Sequence, residues 1–477
     1  MTEVFRVLEG RYVDSVLLMQ ISREIEKREG VIKAGAMVAT PENLFFFKLA
    51  GFHPPDKVNS NSILLAIDAV DNGVAEDALK RMLTLINEGG NNSDKRYRIS
   101  DIPSLISKND FPIMFISTPG QYVKQVAIEA LELGLNLHIF SSNVPLKEEV
   151  ELKKIARSKN LLVMGPDCGT TIIDGHGIGF ANKVRSGRDV CVIGSSGTGI
   201  QELTVQLDKI GLGVSFAIGT GSNDLKAEVG GITTEQAIKM LKGTCKTMAI
   251  ICKTPDPELQ EKIISQISDI PSAFISLGSS SEKKISGTLL TGVIDRAVSY
   301  LASMLGKSIV EGEILPKIPL VNKERKYLRG YFVGGSLCYQ AQAILHGEGL
   351  DVYSNSPIDS KFLVSDNLEG RNICIDTGSE EYVAGKPHPM IDPIARNSQL
   401  VRDSARPDTR VLLFDVILGY GSAANPLDGL ERLSKGAVMI ASVCGTDEDS
   451  QGYSKIRDRL AGLGVTVFGS AADAAMF

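Results

Sequence analysis

Val190-Cys191-Val192-Ile193-Gly194-Ser195-Ser196-Gly197-Thr198-Gly199 is a β-branched apolar run that breaks into a glycine- and hydroxyl-rich turn. An amphipathic stretch follows and closes on Gly211-Leu212-Gly213-Val214, where a new apolar run begins. Strand, tight turn, helix and second strand make the repeating unit of a parallel sheet. The pattern recurs: Tyr331-Phe332-Val333-Gly334-Gly335-Ser336 runs on to Gly349-Leu350-Asp351-Val352. The spacing from turn to closing Gly-Leu-x-Val is the same in both copies. It sets Ser196-Gly197-Thr198 opposite Gly334-Gly335-Ser336 and reads as two related domains.

Outward from these turns, short apolar runs alternate with amphipathic stretches from about residue 111 to the end. Examples are Ile113–Ser117, Leu137–Phe140, Leu161–Met164, Met248–Cys252, Ala273–Leu277, Ile373–Asp376, Val411–Val416 and Val438–Ala441. The fold class is α/β, a succession of Rossmann-like or flavodoxin-like parallel-sheet domains. Seams at Val184–Arg188 and Ile314–Leu320 divide the chain into residues 1–186, 187–320 and 321–477, in keeping with about 100–200 residues per domain. The polar, aperiodic stretch from Asn87 to Arg98 reads as a surface loop.

Composition excludes several classes. A net charge of -6 over 477 residues, with no long basic run, lacks the footprint of a nucleic-acid or acidic-membrane binder. No window reaches the ~18 apolar residues of a membrane span and the N-terminus has no basic-then-apolar leader, so a cytoplasmic protein is expected. Seven cysteines, none in a CxxC pair, read as buried free thiols, with neither disulfide nor zinc nor any other metal expected.

The turns carry the chemistry. Glycine lets the backbone approach an anion, and the helix that follows offers unpaired N–H groups and a partial positive charge. Hydroxyls of Ser196, Thr198 and Ser336 add donors, and two matched turns can aim at one central phosphate or carboxylate. A lone turn of this kind can equally serve only to pack a helix on a sheet. His388, held between prolines in Lys386-Pro387-His388-Pro389 with Asp392 beyond, is the candidate phosphate carrier or proton shuttle; capping the next helix is the alternative. Arg396 could clamp a phosphate with its fork of donors. Cys168, after Gly165-Pro166-Asp167, reads as a nucleophile or as a small buried turn residue. Asp167 and Asp415 stand at strand ends, where carboxylates contact ligands or cap helices.

Ser117-Thr118-Pro119-Gly120, Leu161 to Gly169 and Val192 to Thr198 resemble the α-subunit of succinyl-CoA synthetase, and Leu328 to the end resembles the ligase domain of its β-subunit. Across the chain, Met164-Gly165-Pro166-Asp167-Cys168-Gly169-Thr170, Gly194 to Glu202 and Gly385 to Pro393 resemble the FdrA group of acyl-CoA synthetase-like proteins. The resemblance implies a CoA-binding-like Rossmann domain with a divergent N-terminal part, then two ligase-like domains. It implies CoA as a candidate cofactor, with Thr118, Pro119, Asp167 and Cys168 as candidate contacts for CoA or substrate. Three departures qualify this. Leu277-Gly278-Ser279-Ser280-Ser281-Glu282 has no histidine where the synthetases carry phosphate, nothing between Pro271 and Arg329 is long enough for an ATP-grasp domain, and residues 1–111 show no glycine-rich CoA turn. The expected role is therefore a subunit acting on a small acyl or carbamoyl phosphate. For the FdrA group this is an oxamate carbamoyltransferase-type role in allantoin and purine nitrogen catabolism, within an oligomeric hetero-complex. A CoA-binding acyl-CoA ligase and a non-catalytic scaffold are the alternatives.

Overall fold

The computed structural model describes the chain apart from residues 1, 10–12, 14, 41–42, 45–46, 49, 56–57, 61, 90–110, 280, 308–323, 365–368 and 384–386. Most of the expected 87–98 loop, the seam at 314–320 and the Gly385-Lys386 part of the proline motif lie outside the described residues. Two compact units result: Met1–Ser100 with Val383–Pro387, and Asp101–Tyr382 with His388–Phe477.

The first unit is β1 (Thr2–Leu8), α1 (Ser15–Glu26), β2 (Val31–Val38), β3 (Ile63–Ala69) and α2 (Asn72–Gly89). β3 lies between β1 and β2 and is antiparallel to both. Ile63, Leu65 and Ile67 pack with Leu18, Ile21 and Ile25 of α1 and Leu79 and Met82 of α2. Leu64 and Ala66 face Phe47 and Phe52 on the other side. With both faces covered, every residue of β3 is buried. This antiparallel unit departs from the parallel Rossmann-like arrangement expected of the N-terminal part. A strand buried on both faces loses the polar alternation that marks most antiparallel strands, so β3 reads from sequence like a parallel one.

The second unit holds three sheets. A parallel sheet in the order β4-β5-β6 comprises β4 (Ile113–Ile116), β5 (Asn136–Ile139) and β6 (Val163–Met164), with α3 (Gly120–Glu132) and α4 (Leu146–Ser158) as crossovers. An eight-stranded sheet follows: β7 (Thr170–Ile173), β8 (His176–Gly179), β9 (Val190–Gly194), β10 (Phe216–Gly219), β11 (Thr247–Cys252), β12 (Ser272–Ser276), β13 (Lys283–Ile285) and β14 (Thr288–Thr291). Its order is β13-β14-β12-β11-β9-β10-β7-β8, and β14, β12, β11, β9 and β10 are mutually parallel. α5 (Gly197–Lys209), α6 (Ile232–Leu241), α7 (Pro257–Gln266) and α8 (Ile294–Met304) cover it. The last sheet is wholly parallel: β15 (Tyr327–Phe332), β16 (Val352–Tyr353), β17 (Asn372–Asp376), β18 (Thr409–Ile417), β19 (Val438–Cys444) and β20 (Thr466–Phe468), in the order β16-β17-β15-β18-β19-β20. α9 (Gly335–Gly347), α10 (Ile394–Ser404), α11 (Tyr453–Gly462) and α12 (Ala471–Met476) flank it.

Chain order reverses at β9 in the larger sheet, where β10 lies on one side and β11 on the other, and at β15 in the last. Each glycine turn therefore leaves a topological switch point, where open α/β sheets form a crevice. The two sheets are stitched by the segment after β8. Asn182 Nδ2 donates to Leu418 O and to Asp449 Oδ2, both at 2.9 Å, and Lys183 N donates to Asp449 Oδ1 at 2.7 Å. Asp449 Oδ2 also accepts Thr446 N at 2.9 Å.

One expectation about cysteine is overturned. Cys191 and Cys245 are disulfide-bonded, with their Cα atoms 5.7 Å apart. The 54 residues between them hid the pairing, because only the run of β9 beside β11 brings the loop before β11 alongside. The other five cysteines are free and buried.

Candidate functional site

Ser196 caps α5: its Oγ accepts Gly199 N at 3.1 Å while its backbone stays extended. Gly334 precedes α9 and offers no side-chain cap. The two turns meet. Ser196 Oγ donates to Ser336 Oγ at 2.6 Å, and a Cβ on Gly334 would lie 3.1 Å from Thr198 Cβ. The sequence alignment set Ser196 opposite Gly334 and Thr198 opposite Ser336, so each turn touches the other reciprocally.

The N-terminus of α9 already faces two of the chain's own carboxylates. Asp415 accepts Val333 N at 2.6 Å and Gly334 N at 2.8 Å. Asp376 packs so closely on Gly335 that a Cβ there would overlap its carboxyl group. Burial raises both carboxyl pKa values; Arg396 opposes this most at Asp415 and Lys253 at Asp376.

Arg396 is not placed as a clamp. It is 1% exposed, donates Nη1 to Asp415 O at 2.8 Å, and lies 5.6 Å from the centre of the Phe414 ring. Burial lowers its pKa to about 10. His388 is half-buried against Phe180, ring centres 5.9 Å apart, and a Cβ on Gly378 would lie 2.6 Å from its Nε2. Its Nδ1 accepts Met390 N at 3.2 Å, which assigns the proton to Nε2. Burial depresses its pKa to about 4, so the ring is neutral at pH 7. Asp392 accepts Ile394 N at 3.2 Å, so a carboxylate that could have oriented His388 instead sits at the start of α10.

Thr118 and Pro119 stand at the start of α3, where Pro119 is the N-cap and the Thr118 hydroxyl is buried with no hydrogen-bond partner among the described residues. Asp167 is solvent-exposed with a left-handed φ of 56°. Protein nonetheless surrounds its carboxyl closely enough to raise the pKa, against a hydrogen bond from Ser222. Cys168 beside it is buried: its thiol belongs to the core cluster that holds Met164, Cys191 and Ile193, and burial pushes its pKa up to about 11.

Two further residues matter here, neither of them counted as a site residue in the sequence. His138, on β5, donates Nε2 to Cys168 O at 2.9 Å and holds Nδ1 4.0 Å from Cys168 Sγ. Burial lowers its pKa to about 4. A neutral imidazole beside a protonated thiol is not an activated nucleophile. Lys253 is the second: it follows β11 directly, half-buried, and its charge opposes the raised pKa of both Asp167 and Asp376.

Family models match three stretches: residues 1–100, described as AllF, heavy metal-associated domain; 186–270, CoA binding domain; and 331–477, CoA-ligase. The chain is 32% identical over 492 residues to the uncharacterized protein YahF of Escherichia coli K12, covering 96% of this chain and 94% of that protein. The chain belongs to the YahF family. This YahF-family chain is also 27% identical over 172 residues to the succinate–CoA ligase [ADP-forming] subunit alpha of Aquifex aeolicus. That match covers 34% of the chain and 55% of the subunit. A dinucleotide-forming acetyl-coenzyme A synthetase 1 of Ca. Korarchaeum cryptofilum, solved with phosphate and ADP, aligns at 15% identity and a TM-score of 0.33 over 77% of this chain and 81% of that one.

The first of these models implies a metal, which the residues do not fit. No cysteine occurs before Cys168, and the one histidine of residues 1–100, His53, lies 3.2 Å from the Glu3 carboxylate. No group of three His, Cys, Asp or Glu side chains among the described residues is placed to hold an ion. No helix among the described residues is long and apolar enough to cross a membrane.

Proposed function

We propose that the chain is a CoA-ligase-like subunit of an acyl-CoA synthetase-like enzyme, binding CoA and a small acyl group carried as a carboxylate or phosphate. The observation that carries this reading is the hydroxyl contact between Ser196 and Ser336, which brings two helix N-termini to one point at the carboxyl edges of two sheets. Family models for CoA binding and CoA-ligase on the segments bearing those turns support it. The start of α3, with the unsatisfied Thr118 hydroxyl, suits an anionic part of CoA. The reading keeps the division at residues 186 and 320, with one turn in each of the last two parts, and includes partner subunits.

Bound CoA would supply the acceptor thiol. Attack on an acyl phosphate forms the new bond at the acyl carbon and breaks the bond to phosphate oxygen. Helix N–H groups of this chain would stabilise the charge that develops on the leaving phosphate. No phosphohistidine is needed for that step. The 277–282 loop contains none, and His388 has its Nδ1 committed. This favours a substrate that arrives already phosphorylated, and with it a second reading, transfer from carbamoyl phosphate to oxamate as the FdrA resemblance suggests.

A thermal-shift panel of the full chain with CoA, acetyl phosphate, carbamoyl phosphate and oxamate separates these. A ligand selective for the native state raises the midpoint, by about 2.7 kcal/mol of stability at a hundred times Kd. Stabilisation by CoA supports the ligase reading. Stabilisation by carbamoyl phosphate and oxamate without CoA supports carbamoyl transfer. Silence throughout overturns both and leaves a scaffold.

A further inference from the structure

We propose that Lys253 is the cationic ligand for the phosphoryl group of the substrate, the role the sequence suggested for Arg396; this deepens and rests on the acyl-phosphate reading above. β11 and β9 are adjacent parallel strands and flank the switch point of their sheet. Ile251 pairs with Gly194, so two residues further on Lys253 is level with Ser196. The loop after β11 is fastened to the second turn's helix, since the Thr254 hydroxyl and Tyr339 OH on α9 are 2.8 Å apart. Lys253 Nζ lies 5.8 Å from the centre of the same Tyr339 ring.

The neighbouring cations are committed. Lys153 is fully buried and donates to Glu149 Oε1, Asp224 Oδ1 and Thr220 O, at 2.8, 2.8 and 2.9 Å. Arg396 is buried on the Asp415 carbonyl. The Lys253 ammonium, half-buried, has no hydrogen bond and no ion pair within 4.0 Å among the described residues beyond its contact with the Tyr339 ring, although Asp167 and Asp376 feel its charge. Ser336, 4% exposed, accepts the Ser196 proton and has no described acceptor for its own. An ammonium with no ion pair, an undonated buried hydroxyl and the Gly197 and Thr198 N–H groups, which no described residue accepts, therefore stand around one switch point. That donor set fits a phosphate dianion. Burial of Asp376 and Asp415 lessens the negative charge such a group meets.

The test uses the full chain, with inorganic phosphate and acetyl phosphate titrated by thermal shift and CoA by calorimetry, in wild type, Lys253→Met and Lys253→Arg. Lys253→Met should weaken phosphate binding at least about ten-fold and Lys253→Arg should recover most of it, with CoA binding unchanged. As a check that needs no variant, phosphate should protect Lys253, and not Lys209, from acetic anhydride in the wild type. Wild-type phosphate affinity in Lys253→Met, or modification of Lys253 unaffected by phosphate, overturns the assignment and leaves the CoA-ligase reading standing. A wild type that binds neither phosphate nor CoA overturns that reading, and the role of Lys253 with it.

Discussion

At the scale of single residues, Gly335 is fixed by what lies against it. A methyl group there would overlap the Asp376 carboxyl, which is anchored by its own strand and accepts Gly378 N at 3.0 Å. Gly335→Ala should cost about 1–3 kcal/mol as an overpacked site. Adding Asp376→Ala should make the pair less destabilising than the sum of the single changes, as read by urea denaturation. His138 gives a pH signature. Burial holds its pKa near 4 in the fold, against 6.5 in the unfolded chain. The unfolded chain therefore takes up the proton first, and stability falls as pH drops from about 6.5 to 4, by up to about 1.4 kcal/mol per pH unit for one histidine. His388 adds a second such proton. His138→Gln keeps a donor for Cys168 O and should remove one proton from the slope of unfolding free energy against pH. An unchanged slope would contradict the buried, neutral assignment. Neither His138 nor Lys253 stood out in the sequence, because the worth of each depends on neighbours from strands or turns distant in the chain.

At the scale of elements, the two serines that touch are not equivalent. Ser196 caps α5 and also donates to Ser336, whereas Ser336 lies inside the first turn of α9 and caps nothing. Ser196→Ala should cost about 1–2 kcal/mol through the lost cap, and Ser336→Ala distinctly less, in the same denaturation experiment. The pairing of these turns was legible because the spacing from Gly197 to Gly211 repeats from Gly335 to Gly349. The parallel strands were legible as unbroken β-branched runs such as Val190-Cys191-Val192-Ile193. β1 and β2 were not. Glu3 and Arg6 in one, and Lys33 and Gly35 in the other, dilute strands that are only partly buried. Equally illegible was that Asp415 would take the first N–H groups at α9, since that rests on β18 lying beside β15.

At the scale of the molecule, the eight- and six-stranded sheets are held together by a small buried polar joint. Asp449→Ala would strip the acceptor from Lys183 N and Thr446 N, and one of two acceptors from Asn182 Nδ2, which keeps Leu418 O. Leaving buried donors unpaired costs about 1–3 kcal/mol each where no other acceptor takes them up, so a loss of several kcal/mol is expected. Calorimetry should show the transition of residues 101–477 moving down as one. If only part of it moves, the sheets do not unfold together. The reciprocal touch between the turns carries a last consequence. Ser196 meets the counterpart of Thr198 while Thr198 meets the counterpart of Ser196, which is the bookkeeping of a two-fold axis running between the halves. Each turn is thus roofed by the other, and a fragment carrying one without the other would expose Ser196 or Ser336, both buried in the full chain, to solvent.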